Sequence, residues 1–188
     1  MSEFETNILA AYRRASTDDI EYGMNWYASA CALAQSLTPD SPKVGAGIIA
    51  ALSPMTSWPE NIKKAKMMIE TGNTYGLTSN VSKAAQIRAG KNPLDVLRGP
   101  KVRAFYLNII GENSAETVTI DRHAIDIAHG RVMSDDERAP WSRIKGNREL
   151  VTAYLNVAET LDITGAQLQA IVWVYWRRNV IAVFHGDA

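Results

Sequence analysis

Apolar residues recur along the chain at three-to-four spacing, and the alternating pattern of half-buried strands is scarce. Ile20, Met24, Tyr27, Cys31, Ala34 and Leu37 form one such series. It opens at the capping cluster Ser16-Thr17-Asp18-Asp19 and stops at Thr38-Pro39-Asp40-Ser41-Pro42. Val44 to Leu52 is short, small and apolar, which predicts a fully buried helix. Ser57-Trp58-Pro59-Glu60 reads as a capping box with proline in the first turn. The helix it opens runs to about Glu70, with Ile62, Ala65, Met68 and Ile69 inward, and ends at Gly72-Asn73.

Further helices are predicted from Ser79 to Ala89, from Asn92-Pro93 to near Leu97, and from Lys101 to Ile110 after the turn Arg98-Gly99-Pro100. Gly111 and Asn113 end the last of these. Val118-Thr119-Ile120 is an extended approach to a helix that Asp121 opens toward Gly130. Ser134-Asp135-Asp136-Glu137 and Thr164-Gly165-Ala166-Gln167 are two more capping boxes, and Ser142 to Leu161 is a long amphipathic segment. The sum predicts an all-α fold of roughly ten helices, in one compact unit or two interleaved lobes.

Composition agrees with a globular chain. Of 188 residues, 46% are apolar and 21% charged, so a wholly disordered chain is excluded. The single cysteine, Cys31, excludes a disulfide framework, a four-cysteine zinc site and a cysteine-held iron–sulfur cluster. No apolar run is long enough to span a membrane, and the N-terminus is acidic before it is apolar, the reverse of a secretory signal. The expectation is a cytoplasmic protein without cofactor or metal.

The zero formal charge conceals an asymmetry. From Lys43 to Arg103 there are ten basic residues against Glu60, Glu70 and Asp95, a net of +7. Such a segment suits a polyanion, although Lys63, Lys64 and Lys66 alone would also read as a solvated helix face. There is no P-loop, dinucleotide turn, zinc-protease helix or serine elbow. His123, His129 and His185 have no metal-ligand spacing, except that His123 and Asp126 stand three apart, where a polar helix face is the commoner outcome.

Three stretches carry candidate chemistry. GPKVRAFYLNIIG is a turn into a helix N-terminus with two cations, so its backbone N–H groups, Lys101 and Arg103 can hold a phosphate. VTIDRHAIDIA puts Asp121 at another helix start, where an aspartate is most often just a cap. ALSPMTSWPENIKKA is a buried helix, a polar loop and a capped helix. Its loop can present Met55 and Thr56 outward, while Trp58 reads as a core anchor.

These stretches, in this order, resemble the helix-hairpin-helix DNA glycosylase superfamily, the endonuclease III and adenine glycosylase group. ALSPMTSWPENIKKA resembles the element whose loop enters the DNA stack, GLTSNVSKAAQI the next helix, and LRGPKVRAF the hairpin. VTIDRHAIDIA resembles the segment holding the family's essential aspartate, and IVWVYWRRN its closing helix. The resemblance covers roughly residues 44–180 and extends to compact phage-encoded relatives, some proposed to act on hypermodified thymines. It implies a DNA-binding, base-flipping enzyme with Asp121 as catalytic carboxylate and Gly99, Lys101, Arg103, Met55 and Thr56 on DNA. Asn25, Trp26, Tyr27 and His123 would line the base pocket. The chain departs from the pattern where Lys101 replaces the second hairpin glycine. It departs again where Arg103 replaces the lysine that forms a Schiff base in the bifunctional members. An arginine cannot be deprotonated for that attack, so base release without strand cleavage is implied unless Lys101 substitutes. Two other readings stand beside this one: an enzyme that edits a modified base, and a binder of DNA or protein on the same scaffold.

Overall fold

Helix caps punctuate the chain, and the computed structural model, which describes residues 1–112 and 115–182, realises most of them. Twelve α-helices and one π-helical turn follow one another, with no strand among the described residues. The all-α fold is therefore as the periodicity predicts. Asn113, read as part of a helix stop, and His185 lie outside the described residues.

By its contacts the chain divides into two compact units. The first joins Met1–Tyr27 to Asn113–Ala188, and the second is Ala28–Glu112.

The first unit holds α1 (Glu3–Arg14), α2 (Thr17–Met24), α9 (Arg122–Ala128), α10 (Asp135–Arg138), α11 (Ile144–Thr160), α12 (Gly165–Trp176) and a π-turn (Arg177–Ile181). It also holds the first two residues of α3 (Trp26–Leu37). The helical period predicted from Ile20 to Leu37 is broken at Asn25, the C-cap of α2. α1 begins with a Ser2/Glu5 capping box that sequence analysis overlooked. The boxes at Ser16/Asp19, Ser134/Glu137 and Thr164/Gln167 form as expected. The core gathers Ile8, Ile125, Ile127, Leu150, Tyr154, Leu168 and Val172, all within 1% exposure. The Tyr154 hydroxyl donates to the Ala124 carbonyl at 3.1 Å, tying α11 to the first turn of α9. α2 lies so close to α12 that a Cβ on Gly23 would stand 2.4 Å from the Ile171 Cα.

The second unit holds the rest of α3, then α4 (Pro42–Leu52), α5 (Trp58–Thr71), α6 (Thr78–Arg88), α7 (Pro93–Val96) and α8 (Pro100–Ile109). α4 is buried from Gly45 to Leu52, as its small apolar composition predicts. Its glycines admit neighbours at backbone distance: a Cβ on Gly47 would meet Pro93 at 2.8 Å, and one on Gly45 the Ala34 carbonyl at 2.7 Å. The capping box expected at Ser57 does not form. Ser57 makes no side-chain cap, and the Glu60 carboxylate instead accepts the Tyr75 hydroxyl.

Candidate functional site

Asp121 ends the buried extended segment Val118–Ile120 and caps α9. Its Oδ1 accepts the Ala124 backbone N–H at 2.8 Å. Its Oδ2 accepts the Trp173 indole N–H at 3.2 Å. The cap reading of the sequence is thus realised, and a second oxygen is held from a different helix. Both contacts lie within the first unit.

Trp173 organises the surroundings. The Trp26 ring stands 6.2 Å from it and the His123 ring 6.5 Å, both edge-on. Trp26 in turn packs edge-on against Tyr27 at 4.9 Å. The Tyr27 hydroxyl donates to Gln169 Oε1 at 2.9 Å and lies 3.0 Å from the Thr119 hydroxyl, both partners being buried. On the outer side the exposed Arg177 guanidinium sits 5.0 Å from the Trp173 ring centre. Arg177 opens the π-turn, an irregularity that often marks a functional segment.

His123 is buried, and burial pulls its imidazole below the ordinary range. The cations Arg122 and Arg177 act in the same direction, against Asp121 and Asp126. The ring is therefore neutral at physiological pH, and its Nδ1 has no hydrogen-bond partner. Asp121, Trp173, His123, Trp26 and Tyr27 thus form an aromatic, partly buried setting for one carboxylate.

Of the predicted base-pocket residues, Trp26, Tyr27 and His123 belong to this cluster. Asn25 is exposed, and its side-chain amide donates to the Glu21 carbonyl of its own helix at 2.9 Å. Sequence reasoning missed Gln169, Trp173 and Arg177. Gln169 and Trp173 stand four residues apart on the largely apolar α12, and Arg177 follows four further on at the start of the π-turn, a polar-aromatic series that was the available signal. The alternative of a polar face or a metal pair at His123 and Asp126 is overturned. Both are buried, and Asp126 accepts the Arg138 guanidinium through both oxygens at 2.8 Å as well as the Met133 N–H at 3.2 Å. No cluster of metal-ligating side chains occurs among the described residues.

The predicted DNA contacts all belong to the second unit. Gly99 is the N-cap of α8, with no side-chain cap bond there and Pro100 in the first turn. Its φ of −74° does not demand glycine, and an added Cβ would make only ordinary contact with Val102 at 3.6 Å. Lys101 follows, half-buried. Arg103 is turned back: its Nη1 donates to the carbonyls of Leu94 at 2.6 Å and Leu97 at 3.1 Å, closing the end of α7. That is a structural use which the phosphate reading did not foresee. Met55 is 85% exposed at the tip of the α4–α5 loop, with φ +58°. Beside it Thr56 receives the Lys64 ammonium at 3.4 Å.

Fold and site define an all-α protein in which a carboxylate, capping one helix, is gripped by an indole from another within an aromatic cluster. The chain belongs to the family described as a family of unknown function (DUF7178), whose model matches residues 1–180. No curated protein and no solved structure matches it.

Proposed function

We propose that the protein is a monofunctional DNA glycosylase, with Asp121 as the carboxylate that acts at the sugar of a flipped base. The observation that carries this reading is the double grip on Asp121, by the Ala124 N–H and the Trp173 indole, beside Trp26, Tyr27 and a neutral His123. Breaking an N-glycosidic bond leaves the electron pair on the base and positive charge on the sugar. A fixed carboxylate beside C1′ stabilises that charge and takes a proton from the attacking water. The fixed geometry means that little reorganisation accompanies the step. The aromatic edges suit a base taken out of the stack. Lys101 and the uncapped start of α8 offer donors to a phosphate, and Met55 offers an apolar side chain to the stack. Arg103 supports the α7–α8 turn rather than the chemistry. Among the described residues the partners of Asp121 are a backbone N–H and an indole rather than a lysine, so base loss without strand cleavage is the expected outcome.

The test is a panel of duplexes holding uracil, hydroxymethyluracil, alkylated purines, oxidised guanine or hypermodified thymines, incubated with the protein and with Asp121→Asn. Asparagine keeps the helix cap and the shape, so the variant folds. Free base released by the native protein alone, with nicks only after alkali, supports the proposal. A change of base mass without release points instead to an enzyme that edits a modified base. DNA binding without chemistry on any duplex demotes Asp121 to a cap and leaves a binding module.

A further inference from the structure

The second unit carries a second cluster, in which Tyr75 from the loop after α5 joins Lys63 and Lys64 at the end of the ALSPMTSWPENIKKA stretch, away from the carboxylate site. Tyr75, in the loop between α5 and α6, is 42% exposed. The Lys63 and Lys64 ammonium groups approach its ring centre at 5.7 and 5.1 Å. The Tyr75 hydroxyl donates to the Glu60 carboxylate, which fixes the ring on the first turns of α5. Lys64 also reaches the Thr56 hydroxyl, so the loop with Met55 and the loop with Tyr75 meet on this one side chain. Glu60 is the acidic group facing the cluster through these contacts, and Met55 and Leu77, 85% and 57% exposed, are the neighbouring apolar side chains.

We infer that Lys63, Lys64, Tyr75 and Met55 form a contact surface for DNA that carries an unpaired base, with the Tyr75 ring on the base and the two ammonium groups on flanking phosphates. Charge complementarity selects a polyanion: the second unit holds ten basic against five acidic residues, a net of +5. Two adjacent lysines drawn to one ring repel each other, and a phosphate between them relieves that repulsion. A half-exposed aromatic beside cations is the arrangement that binds unstacked bases with little regard for sequence, since every base has a π-face. Met55, held outward by a left-handed backbone, adds an apolar tip. The inference needs only the second unit. It holds for a protein that binds DNA without cleaving it, so it stands or falls separately from the chemistry of Asp121.

The experiment measures fluorescence anisotropy of a labelled duplex with a central unpaired bubble, against the fully paired duplex, over a salt series with the full chain. Tyr75→Ala weakens bubble binding by roughly 5- to 150-fold, the range for loss of one stacked base, and affects the paired duplex less. Tyr75→Phe, which keeps the π-face and loses the Glu60 bond, retains most of the bubble affinity that Tyr75→Ala loses. Lys63→Ala with Lys64→Ala lowers the slope of log affinity against log salt by about 2. The same change at the exposed Lys145 of the first unit leaves it unaltered. Thermal unfolding checks that each variant folds, and all four positions lie on the surface or at its edge. Absence of DNA binding overturns the inference, as does native-like binding by Tyr75→Ala and the lysine pair. Equal damage from Tyr75→Phe and Tyr75→Ala assigns the effect to the hydroxyl and its Glu60 bond instead of the ring face, and overturns it too. So does preference for phosphatidylserine vesicles over DNA.

Discussion

Single side chains show how one residue type serves two ends. Asp121 is a helix cap by its Oδ1 and the partner of an indole by its Oδ2. Trp173→Phe keeps the aromatic packing and removes that second donor. The expected loss is about 1–2 kcal/mol in denaturant unfolding, together with reduced base release if Asp121 is catalytic. Asp126 is a carboxylate of another kind, wholly buried and matched by the Arg138 fork. Asp126→Asn leaves Arg138 only the exposed Asp135 as counter-charge and costs about 3 kcal/mol of stability, read by the same method. His123 adds a pH dependence. Its folded pKa lies below the unfolded one, so above pH ~6.5 both states are neutral and stability is full. As pH falls through that value the unfolded chain takes a proton that the folded chain refuses, and stability declines. The melting temperature of His123→Gln therefore falls less between pH 7.5 and 5.5 than that of the native protein. Sequence analysis named Asp121 as the candidate carboxylate and, through the resemblance, His123 as a base-pocket residue. It did not identify Trp173, because a tryptophan on an apolar helix is read as core until another element is known to face it.

At the scale of elements, caps were legible and turns between helices were less so. Ser16, Ser134 and Thr164 form their boxes because donor and acceptor lie within one turn, a purely local matter. Ser57 does not, since Glu60 is taken by Tyr75, fifteen residues on. The break at Asn25 escaped the periodicity, because one residue of irregular backbone barely disturbs a three-to-four pattern. Glycines separate by what they face. Gly23→Ala drives a methyl into the Ile171 backbone and separates α2 from α12, at a cost of about 3 kcal/mol. Gly99→Ala meets only Val102 at 3.6 Å and changes stability by no more than about 0.5 kcal/mol. Chemical denaturation of the two variants tests the contrast. If Gly99 admits a phosphate backbone, Gly99→Ala weakens DNA binding while leaving stability alone.

For the whole molecule, the two units carry opposite charge, in the same sense as the basic stretch of residues 43–103 though less steeply. The second unit is +5; the first, with fifteen acidic against ten basic residues, is −5. The acidic first unit contains the carboxylate cluster and the basic second unit the predicted DNA contacts. DNA affinity should therefore fall steeply with salt, and neutralising lysines of the second unit should flatten that dependence while equivalent changes in the first do not. Among the described residues no helix is long and apolar enough to cross a membrane.

The sequence by itself determined the helices, most of their ends, the buried character of α4 and the position of Asp121 at a helix start. These depend on neighbours within a few residues, through backbone hydrogen bonds and the helical period. Tertiary structure alone decided that Trp173 grips Asp121, that Arg103 closes α7 rather than standing free, that Asp126 belongs to Arg138, and that two lysines converge on Tyr75. Each of these depends on which face one element turns toward another, information carried by packing and not by spacing along the chain.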